Sequence, residues 1–235
     1  MDMRNSEAGA GGQRLINSPP VVLGFIAVLF AIHLALVLAG EDWQIWSQAV
    51  FAFNPLRLLP GTTIAMIPGS QWWSLLTYAF LHADWIHLVV NSLWLLVFGT
   101  PVARLAGPGR FLIVAGASAV GGAVASLFLH WGEDVNLIGA SGSVSGLLAA
   151  SVPIIYGGST PKRYLGPGEL FRSRSALFFM AIWLAITLIS GSADMTAGAF
   201  QGMTIAWEAH VGGFFAGLIA FYIVMFGRTR RYLGP

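Results

Sequence analysis

Ser141 lies in Gly139-Ala140-Ser141-Gly142, and 69 residues later His210 lies in Ala209-His210-Val211-Gly212-Gly213. Each fragment opens an uncharged stretch long enough to cross a bilayer. A serine and a histidine at the ends of two apolar spans suit nucleophilic attack on a carbonyl, with the imidazole taking the hydroxyl proton. Polar side chains are costly in lipid, so their positions carry information. Ser141 falls at the start of its predicted helix. Free N–H groups and the helix dipole favour an anion there, and the Ser141 amide is itself a ready oxyanion donor. Gly142 and Gly146 are four apart and share a helical face, as do His210, Gly213 and Gly217. Small residues let helices approach closely in lipid. Two glycine faces in contact would bring Ser141 and His210 within hydrogen-bond reach. Taken singly, Ser141 also fits a packing residue or N-cap, and His210 a packed interior histidine. The pair, at equal depth and each beside a glycine face, favours chemistry.

His87 and Asn91 are four apart on one face of the predicted second span, with His82 five residues earlier at its outer boundary. A neutral histidine and an asparagine amide can both donate to a developing oxyanion; interhelical hydrogen bonding would use the same side chains. Metal binding is the competing chemistry, drawing on His82, His87, His210 and Glu208. No H-E-x-x-H occurs and a spacing of five does not share a helical face, so no metal site is expected. Glu208, two residues from His210, points off its face, so the expectation is a dyad rather than a triad.

These residues need helices to hold them, and composition says in what solvent. Of 235 residues, 56% are hydrophobic and 9% charged, with mean hydropathy +0.73. A soluble domain carries about 25% charge, so lipid is the expected surroundings. With no cysteine, disulfides and thiolate chemistry are absent. Twelve scattered basic residues and a net charge of +2 do not make a nucleic-acid surface. Seven stretches lack charge over a span's length, but Leu58–Ala83 holds Pro60, Gly61, Pro68, Gly69, Ser70 and Gln71. Such breakers leave backbone groups unpaired in lipid. With Glu41–Arg57 it is read as a long interfacial loop. Six helices remain, at about 20–39, 84–104, 110–130, 141–157, 175–192 and 208–227. The expected organisation is a polar tail over 1–19, a membrane domain over 20–227 and a basic tail over 228–235. The first apolar run is long and lacks a cleavage pattern, so it is read as a retained span.

Six spans put both termini on one side. If that side is the cytoplasm, eleven of twelve basic residues lie inside: Arg4, Arg14, Arg104, Arg110, Lys162, Arg163, Arg172, Arg174, Arg228, Arg230 and Arg231. Only Arg57 lies outside, and acids and tryptophans gather at the outer ends, as the positive-inside rule and interfacial anchoring expect. Ser141 and His210 then sit near the outer face. The five residues Arg163–Pro167 recur as Arg231–Pro235 with no assigned role.

Gly-Ala-Ser141-Gly, Ala-His210-Val-Gly-Gly-Phe-Phe-Ala-Gly and His82-x4-His87-x3-Asn91, in that membrane setting, resemble the rhomboid intramembrane serine proteases from about Gln71 to Gly227. The resemblance implies an all-α polytopic membrane protein, a six-helix rhomboid-like bundle with a long first loop. It implies Ser141 as nucleophile, His210 as general base, and His87, Asn91 and the Ser141 amide as the oxyanion hole. His82, Gly139, Gly142, Gly213 and Gly217 would be structural. No cofactor is implied. Implied partners are single-span membrane protein substrates and the lipid bilayer, with substrate entering past the fifth helix, where Phe178, Phe179, Trp183 and Leu184 are gate candidates. A bacterial inner membrane is the expected location, with both termini cytoplasmic and the site near the periplasmic side. Two positions depart from the family pattern. Ser74 follows Trp73 where many members carry an arginine that would anchor the first loop. Ser145 stands where many carry an aromatic that stacks on the catalytic histidine. The alternative reading is a catalytically silent rhomboid-like protein that binds transmembrane helices; a proton-relay transporter has no acid deep in a span to support it.

Overall fold

The computed structural model of the chain describes residues 17–59, 61–62, 67–157, 164–192 and 206–232. Among them the structure is helical, apart from one isolated antiparallel bridge between Phe53 and Leu137. The α-helices are α1 (Pro20–Ala39), α2 (Glu41–Phe51), α3 (Ser70–Thr77), α4 (Trp85–Ala106), α5 (Pro108–Leu129), α6 (Ser141–Ile155), α7 (Pro167–Leu170), α8 (Arg174–Ser192) and α9 (Trp207–Tyr232). By length and composition α1, α4, α5 and the Trp207–Phe226 part of α9 can cross a membrane; Ser141–Ile155 and Arg174–Ser190 are shorter apolar helices. The six expected helices are present as an all-α polytopic bundle. α9 runs on to Tyr232, past the expected end at 227. Most of the expected N-terminal tail, Lys162, Arg163 and Asp194 lie outside the described residues. Leu38, Phe128, Ile223 and Phe226 stand exposed on the bundle, a surface suited to lipid rather than water.

The first loop is more ordered than the sequence suggests. Proline and glycine interrupt the chain only between Ala52 and Gly69. The flanking stretches lack both and form α2 and α3, of eleven and eight residues. At about 1.5 Å per residue neither approaches the roughly 30 Å of a bilayer core. Glu41 and Asp42 lie in the first turn of α2, where negative charge is favoured. At the tight α4–α5 connection Gly107 takes φ 88° and Pro108 starts the next helix, each at the position its backbone suits.

α6 is the central helix. Every residue from Gly142 to Pro153 is buried, and α4, α5 and α9 pack around it. Its 15 residues reach only about 22 Å, so at least one end stops short of the hydrocarbon boundary. Phe111, Val114, Leu147, Leu148, Phe214 and Phe221 form much of the interior. Lipid tails are as apolar as these side chains, so close packing of small residues must hold the helices together. That packing runs along two seams. Gly121 and Gly122 of α5 face Gly212 and Ala209 of α9, while Gly142 and Gly146 of α6 face Gly213 and Gly217 of α9.

Candidate active site

Ser141 is the first residue of α6, and the segment leading to it is held from several sides. Leu137 exchanges two backbone hydrogen bonds with Phe53, of 2.7 and 3.1 Å. Gly139 N–H donates to the Tyr78 carbonyl at 3.0 Å, and Ala140 N–H to His82 Nε2 at 3.4 Å. Asn54 Nδ2 donates to Asp134 Oδ1 at 2.7 Å and Asn136 Oδ1 at 3.0 Å. The long first loop therefore positions the serine segment from outside the bundle. Gly139 has φ 115° and lies against the His87 ring. A methyl there would sit 2.7 Å from His87 Nε2, so only glycine permits this approach.

The expected glycine faces meet. A methyl added to Gly213 would lie 2.8 Å from Gly142 C and 2.9 Å from its Cα; one added to Gly217 would lie 2.6 Å from Gly146 C. α6 and α9 thus touch backbone to backbone, with Ser141 one residue before Gly142 and His210 one turn before Gly213. Both side chains are half-buried. Among the described residues no direct hydrogen bond joins them. Such bonds are often long before substrate arrives.

His87 and Asn91 are held by α4. Asp84 caps this helix by accepting from His87 N–H at 2.8 Å, as a short polar side chain does at an N-cap. His87 Nδ1 accepts from Ala83 N–H at 3.5 Å, which puts the proton of a neutral ring on Nε2, the edge toward Gly139. Asn91 is buried and donates from Nδ2 to the His87 carbonyl at 3.0 Å. Its amide has two N–H groups, so one is left for another acceptor. The His82 and His87 rings lie 5.1 Å apart. Burial pushes the His82 imidazole down to about 3, with the neighbouring His87 and His33 adding to the effect. His82 is therefore neutral at pH 7, which its acceptor role toward Ala140 requires.

The two departures from the family pattern have structural counterparts. Ser74 is buried with its hydroxyl unpaired. A guanidinium nevertheless ties the loop: Arg57 is buried and donates to the Ala52 carbonyl at 3.0 Å and the Gln48 carbonyl at 3.4 Å. Trp73 Nε1 and Thr77 Oγ1 add bonds to the carbonyls of Val50 and Phe51. Ser145 Oγ donates to the Ser141 carbonyl at 2.7 Å, and the aromatic beside His210 comes from another helix. Trp183 of α8 lies 6.3 Å from the His210 ring and stacks on Phe214 at 5.6 Å. The family resemblance gives Trp183 only as a gate candidate, because contact between helices so distant in sequence leaves no periodic signal. Among the other gate candidates, Phe178 is exposed, while Phe179 and Leu184 pack against the core. Glu208 is buried and its Oε1 lies 3.5 Å from His130 Nε2, which agrees with its pointing off the His210 face. The hydroxyls of Ser118, Ser143, Ser145 and Ser151 all donate to backbone carbonyls.

The arrangement can bring a hydroxyl, an imidazole and several N–H donors to one end of α6, and the chain as a whole is similar to known proteins. The sequence model of the Rhomboid domain matches residues 69–226. The rhomboid protease GlpG of Serratia proteamaculans (strain 568) is 25% identical over 206 residues, covering 85% of this chain and 61% of that protein. The putative rhomboid protease YdcA of Bacillus subtilis (strain 168) is 24% identical over 220 residues, covering 94% and 96%. GlpG of Yersinia pestis is 25% identical over 202 residues, covering 85% and 61%. This chain thus matches about three fifths of the length of the GlpG proteins. With the domain match spanning most of the chain and the bundle all-helical and apolar, this integral membrane protein belongs to the rhomboid family.

Proposed function

We propose that this protein is an intramembrane serine endopeptidase that hydrolyses peptide bonds in or near the transmembrane segments of single-span membrane proteins. One observation carries the reading: Gly213 of α9 rests on the Gly142 backbone of α6, which joins the helix ends that bear His210 and Ser141. The relatives named as rhomboid proteases support it. Ser141 Oγ attacks the scissile carbonyl while His210 takes its proton. His210 then gives that proton to the leaving amine, and the acyl-enzyme is hydrolysed by water. The Ser141 amide, His87 Nε2–H and the free N–H of Asn91 are the donors for the oxyanion. Trp183 steadies the imidazole in the role an aromatic at position 145 would otherwise fill. Substrate reaches Ser141 sideways between α4 and α8. The site lies near the periplasmic side of a bacterial inner membrane, with both termini in the cytoplasm.

The test is covalent labelling. Purified protein in detergent reacts with a fluorophosphonate probe at Ser141, and both Ser141→Ala and His210→Ala abolish labelling and cleavage while the fold persists. Robust turnover by Ser141→Ala would eliminate the nucleophile assignment. A folded wild-type protein that neither labels nor cleaves would leave the helix-binding alternative in its place.

A further inference from the structure

A second set of polar atoms lies on the α1 side of this site. His33 is buried within α1, its ring edge-on to Trp85 at 4.5 Å, and its Nε2 has no hydrogen-bond partner. His82 Nδ1 is likewise buried without a partner at hydrogen-bond geometry, the Phe80 carbonyl interacting with the ring only outside that geometry. Both rings line the same small cavity, of about 20 Å³, together with Gln44, Ser47 and Gln48 of α2. A buried water needs roughly 10–15 Å³ and two to four polar partners, and this cavity offers both. Unpaired buried polar atoms are destabilising, and two of them on rings that line one water-sized space call for a shared partner. The chemistry also matches. His82 accepts from Ala140 N–H through Nε2, so its own proton is on Nδ1. A water can accept that proton's hydrogen bond and donate to a bare His33 Nε2. The Ser47 hydroxyl, already donating to the Gln44 carbonyl at 2.8 Å, keeps lone pairs for the water's second hydrogen.

We propose that one buried water bridges His33 Nε2 and His82 Nδ1, making His33 a positioning residue for the Ala140–Ser141 peptide. The bridge holds His82 in the tautomer whose Nε2 receives Ala140 N–H, and so links the first span to the residue before the serine. Its effect on rate rests on the reading of Ser141 as nucleophile; the bridge itself does not.

Two measurements separate these claims. The protein is labelled with ¹⁵N-histidine and reconstituted in phosphatidylethanolamine–phosphatidylglycerol bilayers, and His82 ring-nitrogen signals are recorded with water-edited solid-state NMR. Fluorophosphonate labelling rates at Ser141 are measured in parallel. In the wild type His82 Nδ1 is protonated and in contact with water. His33→Leu loses that contact and labels roughly five- to tenfold more slowly, as expected for one water-mediated hydrogen bond. His33→Gln, whose amide can still reach the cavity, restores both. If His33→Leu does not fold, His33→Asn, with an amide ending short of the cavity, replaces it. A wild-type His82 without water contact, or a contact and rate unchanged by loss of the His33 ring, overturns the proposal. A wild type that shows the His33-dependent water signal but does not label at Ser141 refutes the protease reading and retains the bridge.

Discussion

Substituting Gly213 by alanine tests the helix contact on which the site depends. In the present packing the new methyl would lie 2.8 Å from Gly142 C and 2.9 Å from Gly142 Cα, and the Gly142 carbonyl oxygen is closer still. Carbon atoms in contact prefer about 3.5–4.0 Å. Both sides of the clash are backbone, so no rotamer change relieves it. α6 and α9 must separate by roughly 0.7–1 Å, carrying Ser141 away from His210. Overpacking of this kind costs about 1–3 kcal/mol of stability. A misplacement near 1 Å in a reacting pair costs on the order of 100-fold in rate. The expected result is therefore a folded but less stable protein, with fluorophosphonate labelling and substrate cleavage down by about two orders of magnitude. Gly24→Ala in α1 is the control, since a methyl there meets no atom within 4 Å, and it should leave both readouts unchanged. Thermal unfolding in detergent and labelling kinetics on the same preparations decide the matter. A Gly213→Ala protein that melts and labels like the wild type would refute the claim that a glycine seam sets the distance between the reacting groups.

Three further perturbations probe the same site. Trp183→Ala removes the ring beside His210 and should slow cleavage roughly three- to tenfold, as the worth of one aromatic pair implies; Trp183→Phe should recover most of the loss, and equal rates in all three proteins would deny Trp183 its role. Asn91→Ala removes the oxyanion donor proposed above, a group worth roughly 3 kcal/mol or about 100-fold in kcat, with substrate affinity expected to be nearly unchanged; unaltered kcat would remove Asn91 from the proposed hole. His82 has a folded-state value of about 3 against 6.5 unfolded, so the unfolded chain binds more protons between those values and stability falls as pH drops through that window. His82→Gln should flatten the pH dependence of the melting temperature between pH 6.5 and 4, and an unaltered slope would contradict the neutral, acceptor state of His82.

The local order of the first loop carries a broader point. α2 and α3 formed where proline and glycine were absent, yet each is too short to span. Their value lies in what they hold. Phe53, Asn54, Tyr78 and His82 all bond the chain between Asp134 and Ala140, so the loop stabilises the approach to Ser141. Arg57, the one basic residue expected outside, is spent on capping α2 within that loop, which explains how an anchor persists without an arginine after Trp73.

Much was legible from the residues alone. Six apolar runs separated by charged or breaking segments determine six helices, because the cost of an unpaired backbone in lipid leaves few other solutions. The spacing of Gly142 with Gly146, and of Gly213 with Gly217, determines which helix faces can approach, because a 3.6-residue period is a local property. Other features required the folded chain. That α6 lies at the centre, that Trp183 on α8 stands beside His210, that Glu208 turns to His130, and that His33 and His82 share a cavity are contacts between segments far apart in sequence. A lone histidine within the uniformly apolar α1 marks a polar need but not its partner. The partner is set by how rigid helices interdigitate, and that geometry depends on all of their side chains at once.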